Sequence, residues 1–314
     1  MNAEIQLSII IPVRDEEKNV RELSERLHNT CALMQLSYEV IFVTDLNRDS
    51  TFELLKTINK ANPNIKTLKL SNGFGHHVAV KAGLQYAKGE SVVIMDGDLQ
   101  DLPEDIPLLY SKFKEGYDVV FGIKKQKNDS KIRNFFSKSF VKLINHLSDI
   151  KLDFNTNMFR IISRRTVDAV LTFKERDPSL TAIISLIGYP TTKVLVTSGK
   201  RLYGVTKYRF TRQISLAISF IISFSTKPIK YITYFGYSAS FFSFLYFIYV
   251  LIQRLVFNEI SVFGWSTLIV LITFFGGLQL ISIGLIGEYV GRIFLQTKER
   301  PLYIIEEKVG DLKP

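Results

Sequence analysis

The run Val92-Val93-Ile94-Met95-Asp96-Gly97-Asp98-Leu99-Gln100-Asp101 places four apolar residues directly before two carboxylates at positions i and i+2. Such a run is typical of a buried parallel strand that ends at the edge of an open α/β sheet, where these sheets bind ligands. Carboxylates at such an end favour a bound cation, because burying an unpaired carboxylate costs several kcal/mol. Oxygen ligands of this kind suit Mg²⁺ that also contacts a substrate phosphate. A solvated Asp-Gly-Asp turn is the alternative that the motif alone leaves open.

Predicted strands and helices alternate on both sides of this run. The predicted strands cover residues 7–13, 38–43, 65–70, 91–95 and 118–121, with helices between them. Short connections between such elements predict an α/β, Rossmann-like fold with a mostly parallel sheet. Asp45 follows one strand as Asp96 and Asp98 follow another, and the carboxyl ends of parallel strands share one edge. We therefore expect a common site there, and we expect His76 and His77 to be polar residues at a helix N-terminus rather than metal ligands.

The composition excludes several classes of protein. Hydrophobic residues make up 46% of the chain and charged residues 22%, which excludes a disordered chain. A single cysteine, Cys31, excludes an internal disulfide and fits a reducing compartment. The net charge of +10 suits phosphorylated substrates, anionic lipid or nucleic acid. We expect no nucleic-acid partner. Binding to nucleic acid would explain the positive charge but not the long apolar segments, and the basic residues gather near those segments.

Two long apolar segments predict a membrane anchor. Residues 229–253 and 262–287 each exceed the roughly 20 residues that a helix needs to cross a bilayer, and a short connection makes them a transmembrane hairpin. Basic residues flank the outer ends of the pair, whereas Arg254 alone lies between the segments. The positive-inside rule then predicts a multi-pass protein of the inner (plasma) membrane with both termini in the cytoplasm.

Amphipathic segments precede this hairpin. Residues 131–147 and 209–228 combine basic or polar positions with apolar ones at helical spacing, which is typical of helices that lie at a membrane surface. The expected organisation is a cytosolic catalytic domain over 1–208, an interfacial helix over 209–228, two transmembrane helices within 229–292 and a cytosolic tail over 293–314.

Short blocks spread over nearly the whole chain carry a family resemblance. They are Ile11-Pro12, Asp45, Phe74-Gly75-His76, Met95 to Asp101, Gly116 to Val120, Arg201 with Gly204 to Tyr208, Ser225 to Pro228, Gly287 to Arg292 and Arg300 to Tyr303. In this order they resemble the GT-A fold, family 2 glycosyltransferases that move a sugar from a nucleotide to polyprenyl phosphate. Dolichol-phosphate mannose synthase and its bacterial relatives belong to that group.

The resemblance implies a role for each block. Residues near the nucleotide would be Pro12, Val13, Glu16, Asp45, Asp96 and Gly97. Asp96 and Asp98 would hold Mg²⁺ or Mn²⁺ on the diphosphate. The catalytic set would be Asp98, Gln100, Asp101, Arg160, Arg201 and Lys207, with Gln100 and Asp101 shaping the sugar site. The acceptor phosphate would be gathered by Arg160, Arg201, Thr206 and Lys207.

The chain departs from that family pattern in three places. Where the family usually has an aromatic residue and Asn before the glutamate, this chain has Arg14-Asp15. Thr44-Asp45-Leu46-Asn47 replaces the usual Asp-Asp-Gly-Ser. Asn157-Met158 replaces Gly-Asp before Phe-Arg, which removes a carboxylate that would serve as a base.

The resemblance implies an inverting transfer of a hexose, expected from a UDP-sugar, to undecaprenyl or another polyprenyl phosphate at the cytoplasmic membrane face. The implied partners are the nucleotide sugar, the lipid phosphate and the membrane, and we expect a homo-oligomer. The departures leave one alternative from another class, a catalytically degenerate relative that binds nucleotide or lipid and acts as a scaffold for a membrane partner.

Overall fold

The described part of the chain forms two compact units. The computed structural model describes residues 5–124, 145–148, 157–175, 179–197, 199, 221–256 and 264–313. The first unit comprises Met1–Ser139, Lys151–Lys207 and Arg300–Pro314, and the second comprises Phe140–Ile150 and Tyr208–Glu299. Of the two predicted amphipathic segments, residues 145–147, 221–224 and 227–228 are described as helical, and most of both segments lies outside the described residues.

The first unit is built on an eight-stranded sheet with the order β7-β5-β6-β4-β1-β2-β3-β8. Its strands are β1 Leu7–Val13, β2 Tyr38–Thr44, β3 Ile65–Leu70, β4 Ser91–Ile94, β5 Val119–Lys124, β6 Arg160–Ser163, β7 Thr191–Val196 and β8 Ile305–Val309. Four of the seven strand pairings are parallel, so the predicted mostly parallel α/β sheet is confirmed.

Helices cover both faces of this sheet. They are α1 Val20–Met34, α2 Thr51–Ala61, α3 His76–Tyr86, α4 Ile106–Phe113 after a 3₁₀ turn at Pro103–Asp105, α5 Arg164–Thr172 and α6 Leu180–Ile187. Alternate residues of β1 pack into the two cores, with Ile10 on one face and Ile9 and Ile11 on the other, and all three are 0% exposed. The continuous apolar run of β1 is thus a strand covered on both faces.

The first helix begins later than the sequence predicts. The acidic residues after β1 predict a helix from Asp15, whereas α1 begins at Val20. Asp15 has a left-handed φ of 57°, and the backbone N–H groups of Glu16 and Glu17 donate to Thr51, the first residue of α2, and to Asp49 just before it. These long-range bonds hold the segment as a loop.

The sheet also contains strands that the sequence pattern does not predict. Strand β6 is inserted antiparallel between β4 and β5. Strand β8 pairs antiparallel with β3, so part of the segment 293–314, predicted as a tail, completes the sheet. Each is a short strand of five residues or fewer, and its place in the sheet depends on partners far away in the sequence.

The second unit contains two long helices, α7 Lys227–Val256 and α8 Trp265–Thr297. Within the described residues, one stretch is long and apolar enough by composition to cross a bilayer, Leu268–Thr297, with a mean hydropathy of 2.3. The predicted hairpin with spans at 229–253 and 262–287 therefore stays a prediction.

The packing of α3 on the sheet gives a test of this fold. A Cβ added at Gly83 would lie 2.5 Å from Ile10 Cγ2 and 3.1 Å from Val43 Cγ2. We expect Gly83→Ala to lower the free energy of unfolding by about 1–3 kcal/mol, because an overpacked core forces its neighbours to move. The measurement is the melting temperature by circular dichroism, with about 2–4 °C lost per kcal/mol.

Gly236→Ala is the matched control, because nothing lies within 4 Å of a Cβ at that position. A Gly83→Ala protein that melts like the wild type would contradict the close packing of α3 against β1 and β2.

Candidate functional site

Asp96 and Asp98 follow β4 at the carboxyl edge of the sheet. The Asp96 side chain is 41% exposed, and Asp98 is half-buried, with its Oδ1 accepting the backbone N–H of Gln100 at 3.1 Å. Gly97 is required between them, because a Cβ there would lie 2.6 Å from Val13 Cγ1. The Asp-Gly-Asp sequence thus presents two carboxylates while the chain passes close to the end of β1.

A glycine loop brings His76 to the first of these carboxylates. Asp45, directly after β2, accepts the backbone N–H groups of Phe74 at 2.7 Å and of Gly75 at 3.0 Å. His76 is the first residue of α3, and its Nε2 lies 2.8 Å from Asp96 Oδ1. Residues from three separate parts of the chain therefore meet at one edge of the sheet.

Asp101 connects the site to a lysine cation. Its Oδ2 accepts the backbone N–H of Asp96 at 3.3 Å, and its Oδ1 lies 2.8 Å from Lys124 Nζ at the end of β5. The Asp101 side chain is 3% exposed, whereas that of Lys124 is 22% exposed. The predicted catalytic Asp101 is therefore buried, and its contacts hold the backbone at Asp96.

Arg160 lies in the protein interior. The residue is 1% exposed, and its guanidinium carbon lies 5.0 Å from the centre of the Phe121 ring. Its nitrogens donate to Asn157 O at 2.6 Å, Met158 O at 3.1 Å and Thr181 Oγ1 at 3.1 Å. This burial argues against the predicted contact of Arg160 with the acceptor phosphate and favours a supporting role, because its donors already bond to the protein.

Burial and charge act in opposite directions on these groups. Burial raises the pKa of Asp101, and the Lys124 partner offsets only part of that shift. Burial also acts to raise the pKa of Asp96, but the hydrogen bond and charge of His76 and the charges of Lys124 and Arg160 outweigh it, so the pKa is lowered. Burial lowers the pKa of Arg160 to about 10, against the opposing effect of Asp96 and Asp101, and Arg160 stays cationic at neutral pH.

The predicted nucleotide residues near β1 form the frame of the site. Pro12 and Val13 are buried within the strand, and Val13 O accepts the backbone N–H of Asp45 at 3.1 Å. The Glu16 carboxylate accepts the Asn19 amide at 2.5 Å. Asp45 is 5% exposed, and both of its carboxylate oxygens bond to the glycine loop. These contacts fix the loops around the site.

The remaining predicted site residues divide into two groups. Gln100 is half-buried next to Asp98. The predicted acceptor residues Arg201, Thr206 and Lys207 lie outside the described residues. The structure thus brings together the predicted site residues that follow strands β2 and β4. The contacts of the predicted acceptor residues stay predictions.

The donor set fits a hard divalent cation. Within the described part of the chain, no group of three or more His, Cys, Asp and Glu residues is arranged to hold a metal. Asp96 and Asp98 supply carboxylate oxygens at a partly exposed edge. Mg²⁺ is usually bound by one or two carboxylates together with waters and substrate phosphates, so two carboxylates are sufficient.

Sequence reasoning missed two contacts of the site. Lys124 ends a strand whose apolar part was predicted to stop at Phe121, and nothing in its local sequence links it to Asp101. His76 was expected to be polar at a helix start, which is where it lies, but its contact with Asp96 was not predicted. The one feature of the sequence that could have indicated this contact was the position of His76 at a helix start next to a glycine loop.

The pair of Lys124 and Asp101 gives a pH-dependent test. Lys124→Met removes the cation from a buried carboxylate, and we expect a loss of about 1–3 kcal/mol of stability at neutral pH. The pKa of Asp101, already raised by burial, would rise further. The loss should be largest above that pKa and fade as pH falls through it, because a protonated carboxyl needs no cation. The measurement is thermal unfolding at neutral and at mildly acidic pH.

Lys112→Met is the matched control, since Lys112 pairs at the surface with Glu115. A Lys124→Met deficit that is the same at both pH values would show that the lost interaction is packing and not charge.

Comparisons with known proteins show the family. The model of the family described as Glycosyl transferase family 2 matches residues 8–171, just over half of the chain. An uncharacterized glycosyltransferase of Bacillus subtilis, YkcC, is 36% identical over 99% of this chain and 96% of its own length. The bactoprenol glucosyl transferase of Shigella phage SfV is 33% identical over 97% of this chain and 99% of its own length.

A solved structure shares the fold. The mannosyltransferase PcManGT from Pyrobaculum calidifontis, in complex with GDP-Man and Mn²⁺, aligns with a TM-score of 0.50 at 14% identity. The alignment covers 71% of this chain and 64% of that one, which is less than two thirds of its length. With the sheet and the strand-end carboxylates described above, these matches show that the chain belongs to glycosyl transferase family 2 and has the GT-A fold.

Proposed function

We propose that this protein transfers a hexose, with inversion, from a nucleotide sugar to a polyprenyl phosphate. The observation that carries the proposal is the pair of partly exposed carboxylates, Asp96 and Asp98, at the carboxyl end of β4 in a family 2 glycosyltransferase. Relatives named bactoprenol glucosyl transferases, similar over nearly the full chain, support a polyprenyl acceptor. A UDP-sugar donor and undecaprenyl phosphate as the lipid are the specific substrates that we propose.

Asp96 and Asp98 would hold Mg²⁺ or Mn²⁺ in this site. When bound, the metal would supply positive charge to the nucleoside diphosphate that leaves. The oxygen ligands of both residues suit such a cation, and the related fold of PcManGT was solved with Mn²⁺ and GDP-Man. Gln100, half-buried beside Asp98, would contact the sugar.

Buried residues would support this edge. Asp101, through Lys124 and the backbone of Asp96, fixes the turn that carries the two carboxylates. The buried cation of Arg160 offsets the negative charge of Asp96 and Asp101. We therefore propose that Asp101 and Arg160 act by positioning and charge balance, while Pro12, Val13 and Glu16 frame the nucleotide side.

The acceptor phosphate would need alignment more than deprotonation. The second pKa of a phosphate monoester is about 6, so the acceptor is largely ionised at neutral pH. An ionised oxygen attacks the sugar without a general base, which is compatible with Asn157-Met158 in place of a carboxylate. Arg201, Thr206 and Lys207 would gather this phosphate, since arginine pairs with two phosphate oxygens at once.

A membrane hairpin would hold the enzyme near its lipid. Strand β8, after helix α8, pairs with β3, which comes from the start of the chain. The sheet therefore contains strands that precede helix α7 and a strand that follows helix α8. The parts of the chain before α7 and after α8 must then lie on the same side of a membrane. A chain that crosses with α8 must then cross an even number of times, and α7, with 30 residues, is long enough to be the second span. The positive-inside rule places the sheet at the cytoplasmic face.

Product formation tests the proposed activity. Purified protein in liposomes, given radiolabelled UDP-glucose, undecaprenyl phosphate and Mg²⁺, should form a labelled lipid that is extracted into organic solvent. We expect Asp98→Asn to lower the rate by about 100-fold or more, because a carboxylate ligand of the metal becomes a neutral amide. Asp168→Asn is the matched control, since the Asp168 side chain is 64% exposed on α5.

Two results would contradict the proposal. One is full activity of the Asp98→Asn protein. The other is calorimetric binding of the nucleotide sugar without any lipid product from a panel of common donors, which would favour the non-catalytic scaffold.

Cysteine labelling tests the hairpin. Ser261→Cys, in the connection between the two helices, should react with a membrane-impermeant maleimide on intact cells, whereas Lys313→Cys should react only after permeabilisation. The native Cys31 is 0% exposed and should give little background. Labelling of both engineered cysteines from the same side would exclude the hairpin.

A further inference from the structure

We propose that His76, held in place through Asp45 and the loop at Phe74-Gly75, is a positioning residue that orients Asp96 towards the divalent cation. The inference rests on the proposed function and adds a role for two residues, one of which had been predicted to contact the nucleotide itself. The contacts form a series that runs from the end of β2, through the start of α3, to the end of β4.

Asp45 is the first residue in this series of contacts, and it is held firmly in place. It is 5% exposed, and its two carboxylate oxygens accept the N–H groups of two successive residues, Phe74 and Gly75. Charge-assisted hydrogen bonds of this kind are about twice as strong as neutral ones. A carboxylate engaged in this way serves the loop, and it has little surface left for a nucleotide.

Gly75 sets the direction in which α3 begins. Its φ of +94° lies in a region that side-chain-bearing residues rarely adopt, and a Cβ there would meet nothing within 4 Å. Backbone conformation, rather than space, therefore requires glycine at this position. The turn that it makes leads directly into His76.

His76 then bonds the carboxylate of Asp96. Its Nε2 is 2.8 Å from Oδ1, and because an ionised carboxylate only accepts hydrogen bonds, Nε2 carries the proton. Among the described residues, the hydrogen bond to this carboxylate ends at Oδ1, and none is described at the other oxygen, Oδ2. One oxygen of Asp96 is thus fixed by the histidine, and the second is free to bind a cation.

The two side chains are similarly exposed, at 42% for His76 and 41% for Asp96. A carboxylate at such a surface rotates freely unless a partner holds it. Partners that hydrogen-bond a metal ligand commonly contribute 10–100-fold to metal affinity or activity. We therefore expect the histidine to act on the binding of metal and nucleotide through Asp96.

Calorimetric titration of UDP into the full chain with Mn²⁺ is the test, because it reads binding without turnover. We expect His76→Ala to weaken the binding of UDP with Mn²⁺ by about 10–100-fold. His76→Gln should recover part of the loss, since the glutamine amide nitrogen lies near the position of Nε2. His76→Asn, whose amide is too short, should not. His77→Ala is the matched control at the neighbouring position and should stay within about two-fold of the wild type.

The Asp45 step has its own variant. Asp45→Asn replaces one acceptor oxygen with a donor group and should weaken binding in the same direction. If Asp45 and His76 both act through Asp96, their effects on binding are not additive. The double variant should then bind UDP with Mn²⁺ about as well as the single variant that binds it less tightly.

Three results would overturn this inference. Binding by His76→Ala that equals the wild type would remove the role of the histidine. Additive losses in the double variant would separate Asp45 from His76. A nitrogen hyperfine coupling from His76 in the electron spin echo spectrum of bound Mn²⁺ would make the histidine a direct ligand. If labelled lipid still forms, these results leave the proposed function intact, whereas a wild-type chain that binds no UDP with Mn²⁺ and forms no lipid contradicts both.

Discussion

The parallel pairing of β2, β1 and β4 is the constraint on which the rest of this structure depends. Strand β1 lies between the other two in parallel register, with Val13 opposite Thr44 and Ile10 opposite Ile94. Because all three strands run in the same direction, the residues that follow them emerge at one edge of the sheet. Burial of β1 on both faces fixes this arrangement, since a slip in register by one residue would exchange the side chains that β1 contributes to the two cores.

The polar residues at this edge divide into two sets that differ in burial. Asp45 and Asp101 are at most 5% exposed and bond to backbone N–H groups or to Lys124, so they shape the loops. Asp96 and Asp98 remain partly exposed and suit a cation. Burial thus separates the two carboxylates that bond to the protein from the two that stay partly exposed, although all four lie at the same edge of the sheet. A site that concentrates negative charge also needs nearby cations, and Lys124 and Arg160 provide them.

Local patterns in the sequence predicted the parts of the fold that local patterns determine. Strands at Leu7–Val13 and Ile65–Leu70 match to the residue, because continuous apolar runs end at polar turns. The role of Asp96 and Asp98 as strand-end carboxylates followed from the same rule. Strand β8, the Asp45 bonds and the contact of His76 with Asp96 join residues 20 or more positions apart, so no local pattern reveals them. Nor does any local pattern reveal the burial of Arg160, since charged residues are almost never fully buried unless they are paired.

We propose above all that Asp96 and Asp98 hold a divalent cation against the donor diphosphate. An experimental structure of the full chain with Mn²⁺ and UDP, with anomalous scattering data recorded at the manganese edge, tests it most directly. We expect one anomalous peak within about 2.0–2.3 Å of a carboxylate oxygen of each residue and of a diphosphate oxygen, as for other hard cations. Nucleotide bound elsewhere, or a manganese peak that contacts neither carboxylate, would contradict the account.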